Sequence, residues 1–146
     1  MLRQLLLGSV VSACNIVTHA LVMAAVVRVV HIAGARDSSR PWLHLITVMI
    51  ATVSVLMAAH TCEVMIWSLA YAIVGAAPAG TDLVYFAFVN YTTLGYGDVV
   101  PVERWRLLGP MTAMNGVLLF GWSTAVIFEV LRRIMVRNAP PATATT

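Results

Sequence analysis

The stretch Thr92-Thr93-Leu94-Gly95-Tyr96-Gly97-Asp98 decides how this chain folds. Successive carbonyl groups of an ordinary strand point to opposite sides, so aiming all of them to one side requires residues that accept a positive φ. Glycine accepts it at little steric cost, and Gly95 and Gly97 alternate with residues that carry side chains. A row of such carbonyls can replace the water around a dehydrated cation. A glycine pair alone is a weak signal, so its setting in the chain matters.

Apolar segments flank this stretch, and each is longer than the roughly 20 residues that a helix needs to cross a bilayer. They are Leu5 to Ala35, Trp42 to Gly75 and Leu107 to Ile134. Residues 76–106 are too polar and glycine-rich to face lipid, so protein must shelter them or they must line a water-filled cavity. The pattern predicts an all-α membrane protein with three transmembrane helices and a re-entrant pore loop between the second and third.

The first half of the loop carries the chemistry of a helix start. Thr81 is a candidate N-cap, and Asp82 places a negative charge in the first turn. We therefore predict a short pore helix over residues 81–91, whose negative C-terminal end favours a cation in the central cavity. Pro110 lacks a backbone donor, which predicts a late start or a kink in the third transmembrane helix.

Composition excludes several classes of protein. The chain of 146 residues is 60% hydrophobic and 10% charged, which is too apolar for a small soluble domain. The net charge of +3 comes from arginines at segment ends rather than in one patch, so we expect no nucleic-acid partner. Cys14 and Cys62 lie in apolar runs without metal-ligand spacing and are interpreted as packing residues. We expect no cofactor and no small-molecule substrate.

The arginines also predict orientation in the cell membrane. Arg28, Arg36 and Arg40 surround the first connection, and further arginines follow the last span. Because arginine favours the cytoplasmic side, the N-terminus is predicted outside and the C-terminus in the cytoplasm. The segment before Cys14 resembles a lipoprotein-type cleavage site, but the apolar run continues past it, so we expect no processing.

The seven residues 92–98, set between a short helix and a spanning helix, resemble the signature of the potassium channel family. The resemblance covers residues 81–133 and implies a four-fold symmetric homotetramer, in which each chain meets three identical subunits and membrane lipid. It implies K⁺ as the permeant ion. The ion sites would be formed by the Thr93 hydroxyl and by the carbonyls of Thr93, Leu94, Gly95 and Tyr96, with Gly97 at the outer end and Thr92 and Asp98 as flanking support.

This sequence departs from the family in the residues that brace the filter. Bacterial relatives often carry tryptophans and a glutamate in the pore helix, where this chain has Tyr85, Phe86 and Val89. We predict that Asn90 or Tyr85 substitutes for them by hydrogen bonding near Tyr96 or Asp98, because Phe86 and Val89 offer no polar side-chain atom.

These patterns divide the chain into an extra N-terminal transmembrane helix, a pore domain and a disordered tail rich in proline, alanine and threonine. The boundaries are 1–36, 41–134 and 135–146. Within the pore domain we predict an outer helix over 42–75, the pore helix over 81–91, the filter over 92–98 and an inner helix over 106–134. The first helix has no counterpart in the smallest family members, so we expect it to be peripheral.

Gly116 lies in the middle of the last span and resembles the glycine at which the family's inner helix bends to open. The alternative is close helix packing, which small residues permit. Asn115 beside it can face either the ion cavity or a neighbouring helix. Glu129 precedes two arginines by three and four residues, which predicts a helix-surface ion pair or, alternatively, a ring of glutamates at the inner mouth.

Glu63 lies inside the second span, where an ionisable group needs a partner. His60 is one helical turn earlier, and His19 reaches a similar depth if the first two helices are antiparallel. Because histidine titrates near neutral pH, the cluster is a candidate proton sensor, with a merely structural hydrogen bond as the alternative.

Competing functions are a non-conducting or regulatory pore-loop subunit, a less selective cation channel and an intramembrane enzyme. Tyr96 argues against the less selective cation channel, because filters that admit sodium often lose this aromatic residue. The enzyme rests on Ser123 alone, which lacks a following glycine and has no histidine placed beside it by helix position, so we expect no enzyme. A voltage sensor needs arginines at every third position, whereas Arg28 stands alone in its span.

Overall fold

The computed structural model describes the backbone of residues 1–33 and 40–137, and the side chains of residues 1–30 and 40–136. In this part of the chain no strand occurs. Helices α1, α2 and α4 are long and apolar enough to cross a membrane. The all-α class and the three long apolar helices are therefore as predicted. The helices are α1 (Leu2–Ala33), α2 (Pro41–Val74), α3 (Leu83–Tyr91) and α4 (Leu108–Arg137), with a short 3₁₀ turn at Glu103–Trp105.

Local chemistry fixes both ends of α2. Pro41 opens the helix, where its missing N–H costs no hydrogen bond. Gly75 closes it with φ of +61°, a left-handed conformation that glycine adopts readily. The Ala76 N–H then donates to the Tyr71 carbonyl at 3.0 Å, which satisfies one of the free carbonyls at the helix end. The chain is thereby turned toward α3.

Helix α3 has a different cap from the one predicted. The carboxylate of Asp82 accepts hydrogen bonds from the N–H groups of Val84 and Tyr85 at 3.0 and 3.1 Å. Asp82 is therefore the N-cap and Thr81 is not, and the helix begins at Leu83. Both residues are chemically suited to capping, and a charged acceptor makes the stronger bond to a backbone N–H.

Helix α4 begins at Leu108, so Pro110 falls in its first turn, where a missing N–H is harmless. The helix continues to Arg137, so the predicted tail cannot start at residue 135. The rest of that tail, residues 138–146, and the end of the predicted first segment, including Arg36, lie outside the described residues.

Apolar side chains form two clusters separated by a polar layer. One cluster contains Trp67, Tyr71, Phe86, Tyr91 and Leu108, and joins α2 and α3 to the start of α4. The other joins α1, α2 and α4 through Met23, Leu56, Val126 and Val130. Along each long helix, buried polar residues fall between the two clusters: Asn15, His19, Glu63, Asn115 and Ser123.

Helix α1 is part of the packed helix bundle of the chain. It packs against both α2 and α4. It approaches α4 so closely at Gly8 that a Cβ there would overlap the Met111 side chain. The Gln4 side chain also accepts a hydrogen bond from the Leu107 N–H at 2.9 Å, next to the start of α4. The place of α1 in an assembled channel stays a prediction, and within the chain a polar stripe that its apolar composition conceals joins it to the other helices. Cys14, on the same helix, is exposed rather than packed, and so is Cys62.

Candidate ion pathway and buried polar network

The segment after α3 has an alternating backbone. Thr93, Gly95 and Gly97 have φ of +61°, +58° and +81°, whereas Leu94 and Tyr96 do not have positive φ. The handedness of the backbone thus changes at every residue, which turns successive carbonyls toward a common side instead of alternating sides. The sequence pointed to the two glycines but not to Thr93. A β-branched residue rarely adopts a left-handed conformation, so its strain needs support from its surroundings.

That support comes from the end of α3. The N–H groups of Thr93 and Leu94 donate to the carbonyls of Asn90 and Val89, each at 3.0 Å. Within the described part of the chain, the carbonyls of residues 93–96 accept no hydrogen bond. The segment therefore holds its amides on α3 and leaves its carbonyl oxygens available.

A single chain does not cover this segment. Residues 92–98 are all exposed, and the large side chains of Leu94 and Tyr96 are 52% and 68% exposed. Exposed apolar side chains beside free carbonyls form a surface that water or lipid alone does not suit. The arrangement is complete only when further protein surrounds it.

The hydroxyl of Tyr85 donates to the carboxylate of Asp98 at 2.6 Å. The first turn of α3 is thus connected to the residue that follows the glycines. This hydrogen bond, with Asp98 charged beside it, raises the pKa of the Tyr85 phenol above its usual range. Asn90 does not reach Tyr96 or Asp98, because its amide donates to the Phe86 carbonyl one turn back, at 3.0 Å. Of the two predicted substitutes, the structure therefore brings only Tyr85 to Asp98.

Glu63 is at the centre of the polar layer and is fully buried. One carboxylate oxygen lies 2.7 Å from Nδ1 of His19, and the other lies 2.9 Å from Nδ1 of His60. The Tyr91 hydroxyl, at the C-terminal end of α3, also donates to the Glu63 carboxylate. The structure thus brings together the three residues of the predicted cluster, and it adds Tyr91.

Ser123 on α4 lies on the opposite side of the same two imidazole rings. Its Oγ is 2.9 Å from Nε2 of His60 and 3.4 Å from Nε2 of His19. The expectation that no histidine lies beside Ser123 was wrong, because helix position within α4 gives no information about residues on α1 and α2. The contacts that run from Ser123 to His60 and from His60 to Glu63 are similar to those of the Ser-His-Asp triad of hydrolases. Ser123 is only 5% exposed, however, so its hydroxyl has little access to a substrate.

Asn115 faces the other helices of its own chain. Its side-chain oxygen accepts from the Asn15 amide at 2.9 Å and from the Trp67 indole at 3.0 Å. The Asn15 amide also contacts the backbone carbonyl of Glu63 at 3.3 Å. These bonds extend the polar layer from α1 through α2 to α4.

Gly116 is a point of close helix packing. A Cβ at this position would overlap the carbonyl oxygen of Tyr91. The middle of α4 therefore packs directly on the backbone at the end of α3, where the segment of alternating φ begins. The hinge role of Gly116 stays a prediction, and α4 is helical on both sides of it.

Glu129 pairs with both arginines that follow it. Its carboxylate lies 2.9 Å from Nε of Arg132 and 2.5 Å from Nε of Arg133, and all three side chains are partly exposed. The surface ion pair predicted from the spacing is present.

Three apolar helices of membrane-spanning length, joined through a buried polar layer, define a multi-pass membrane protein. Comparison with protein families makes this more specific, since a family model described as ion channel matches residues 45–133. The chain therefore belongs to the ion channel family. The match includes most of α2, all of α3 and the alternating segment, and most of α4. No curated protein and no solved structure matches the chain.

Proposed function

We propose that the chain is a potassium-selective channel whose filter is Thr93-Leu94-Gly95-Tyr96-Gly97. The observation that carries the proposal is the alternating φ of residues 93–97, combined with carbonyl oxygens that accept no hydrogen bond among the described residues. Rings of backbone carbonyls are what K⁺ channels use to replace the ion's hydration shell. Permeant K⁺ is the only ligand that this function requires.

The proposal includes assembly of four identical chains. One chain contributes one row of carbonyls, and a ring around an ion needs several rows. The exposure of Leu94 and Tyr96 supports this assembly, because both side chains gain cover from neighbouring copies. The orientation with the N-terminus outside and the C-terminus in the cytoplasm is part of the same proposal, and it rests on the arginine distribution.

Two further roles belong to the proposal. Gly116 is the candidate hinge of α4, and His19, His60 and Glu63 form a candidate proton sensor. The sensor is supported by the contact of Glu63 with Tyr91, two residues before Thr93. Protonation of the cluster would change the hydrogen bonds at the base of the filter.

The function is tested by reconstituting the purified protein in liposomes and comparing K⁺ and Na⁺ flux with and without Ba²⁺. We expect K⁺ flux that greatly exceeds Na⁺ flux and is blocked by Ba²⁺. Equal flux of the two ions would refute selectivity. No flux at all would favour the alternative, a non-conducting or regulatory pore-loop subunit.

A matched pair of glycine variants identifies the filter. Gly97 and Gly80 have nearly the same φ, +81° and +83°, and a Cβ at either meets nothing within 4 Å in the chain. Replacement by alanine therefore imposes the same left-handed strain at both, about 1 to 2 kcal/mol. We expect Gly97→Ala to lose K⁺ selectivity or flux, and Gly80→Ala, before α3, to keep both. Equal behaviour of the two variants would show that residues 93–97 are not the filter.

A further inference from the structure

The two histidines of the polar layer, His19 and His60, contact the same two side chains through the same ring atoms. Both present Nδ1 to the Glu63 carboxylate, at 2.7 and 2.9 Å, and both present Nε2 to the Ser123 hydroxyl, at 2.9 and 3.4 Å. The atoms that can act as ligands on His19, His60 and Glu63 all lie within 4.8 Å of one another. Three potential ligands from two helices thus converge on one buried point.

Two neutral histidines of the same tautomer do not fully satisfy this arrangement, and one added positive charge, a proton or a metal ion, completes it. If both Nδ1 atoms carry protons and donate to Glu63, the two Nε2 atoms are acceptors that compete for the single proton of Ser123. If both Nε2 atoms carry protons instead, Ser123 has two lone pairs and can accept from each. The Nδ1 atoms are then free of protons and face the carboxylate with their lone pairs, an arrangement that suits a positive charge between them, either a proton or a metal ion.

We propose that His19, His60 and Glu63 bind a divalent transition metal ion, with Zn²⁺ as the best match. Two imidazole nitrogens and one carboxylate oxygen form a known zinc ligand set. The Tyr91 oxygen, 3.0 Å from Nδ1 of His60, is available as the fourth ligand. Ser123 takes the role of the outer partner that orients both rings through their second nitrogens.

The present distances require only a small expansion. Zinc bonds of about 2.0 to 2.2 Å in a tetrahedral site separate the ligand atoms by about 3.4 Å. The two nitrogen–oxygen distances of 2.7 and 2.9 Å therefore widen by about 0.5 to 0.7 Å on binding. The two distances involve different carboxylate oxygens, and we expect rotation of the Glu63 carboxylate and of the two rings to provide the expansion.

Metal binding would connect α1, α2 and α3 at a single point. His19 comes from α1, His60 and Glu63 come from α2, and Tyr91 ends α3. The bound ion would hold the first helix against the base of the proposed filter. This inference does not depend on potassium selectivity, and its test uses no flux measurement.

The test uses full-length protein purified in detergent and stripped of metal with a chelator. Zn²⁺ is added, excess is removed by desalting, and bound zinc is measured by mass spectrometry together with the thermal unfolding midpoint. We expect about one Zn²⁺ per chain and a raised unfolding midpoint. In His19→Ala and Glu63→Gln, zinc affinity should fall at least 100-fold and the midpoint should no longer respond to zinc.

His44→Ala is the matched control, since His44 lies on α2 well away from the cluster in sequence and should bind zinc as the unchanged protein does. Ser123→Ala retains all three ligands. It tests the zinc site if the variants that lack a ligand do not fold. Its affinity should fall about 10- to 100-fold, as for other outer partners of metal ligands. Co²⁺ in place of Zn²⁺ should give the intense visible absorption of a tetrahedral site.

Zinc binding at this cluster should depend on pH. Protons compete for the same imidazole nitrogens, so zinc affinity should fall as the pH decreases from 8 to 5. Absence of zinc binding by the unchanged protein would overturn the proposal. So would equal binding by His19→Ala and His44→Ala, which would indicate adventitious metal on the surface.

Discussion

Replacing Gly116 with alanine tests the contact between α4 and the start of the proposed filter. Alanine in a helix is favoured over glycine by about 1 kcal/mol. At Gly116, however, the added Cβ overlaps the Tyr91 carbonyl oxygen, which is backbone and cannot rotate away. Overpacking of this kind costs about 1 to 3 kcal/mol. The net expectation is a free energy of unfolding that is unchanged or up to about 2 kcal/mol lower.

Gly121 supplies the matched control on the same helix. A Cβ there meets nothing within 4 Å in the chain. Gly121→Ala should therefore be stabilised by the higher helix propensity of alanine, with no overlap to oppose it. The propensity terms cancel between the two variants, and their difference isolates the overlap at Tyr91, about 1 to 3 kcal/mol. This corresponds to about a 5- to 150-fold difference in the unfolding equilibrium constant.

The assay is reversible unfolding in mixed detergent micelles, followed by circular dichroism, with K⁺ flux in liposomes measured on the same preparations. We expect Gly116→Ala to be less stable than Gly121→Ala and to have altered flux, because the backbone below Thr93 has to shift. If the two variants are equally stable, the packing argument is wrong. Reduced flux with equal stability would then favour the hinge role.

Two other hydrogen bonds give predictions with different signatures. Tyr85→Phe removes the donor to Asp98 and should reduce selectivity or sustained current without lowering the unfolding midpoint appreciably. Unchanged currents would show that the contact does not support the proposed filter. Because Asp98 raises the pKa of Tyr85, the bond is present below that raised pKa and lost only as the pH passes through it, so currents should not titrate with Tyr85 between pH 7 and 9. Tyr71→Phe removes a buried bond of 2.6 Å to Thr112 and should lower the free energy of unfolding by about 0.5 to 1.5 kcal/mol in the same micelle assay while leaving the K⁺ to Na⁺ flux ratio unchanged. A changed flux ratio would contradict the structural role assigned to Tyr71.

Much of the fold could be predicted from the sequence because the bilayer permits few kinds of backbone structure. Long apolar runs give the helices, and an ionisable residue inside a span must find a partner, which led from Glu63 to His60 and His19. The positive φ of Gly95 and Gly97 followed from residue type. These inferences need only spacing along one helix or the properties of one residue.

The residues that were missed depend on how helices meet. Ser123 and Tyr91 join the cluster through packing of α4 and α3 against α2, and spacing within one helix does not determine that packing. A signal was present, since a buried carboxylate needs several donors and Tyr91 ends α3 with a hydroxyl. The left-handed Thr93 was hidden for another reason, because intrinsic preference argues against it and only its connection to α3 enforces it.

The polar stripe of α1 also bears on how the protein is made. Asn15 is synthesised and delivered to the bilayer 100 residues before its partner Asn115, and His19 44 residues before Glu63. At about 5 to 20 residues per second, Asn15 waits about 5 to 20 s for that partner. During that interval the first helix carries amide and imidazole groups that lipid cannot satisfy. Insertion of this subunit is therefore a timed process, in which the earliest helix depends on the latest one.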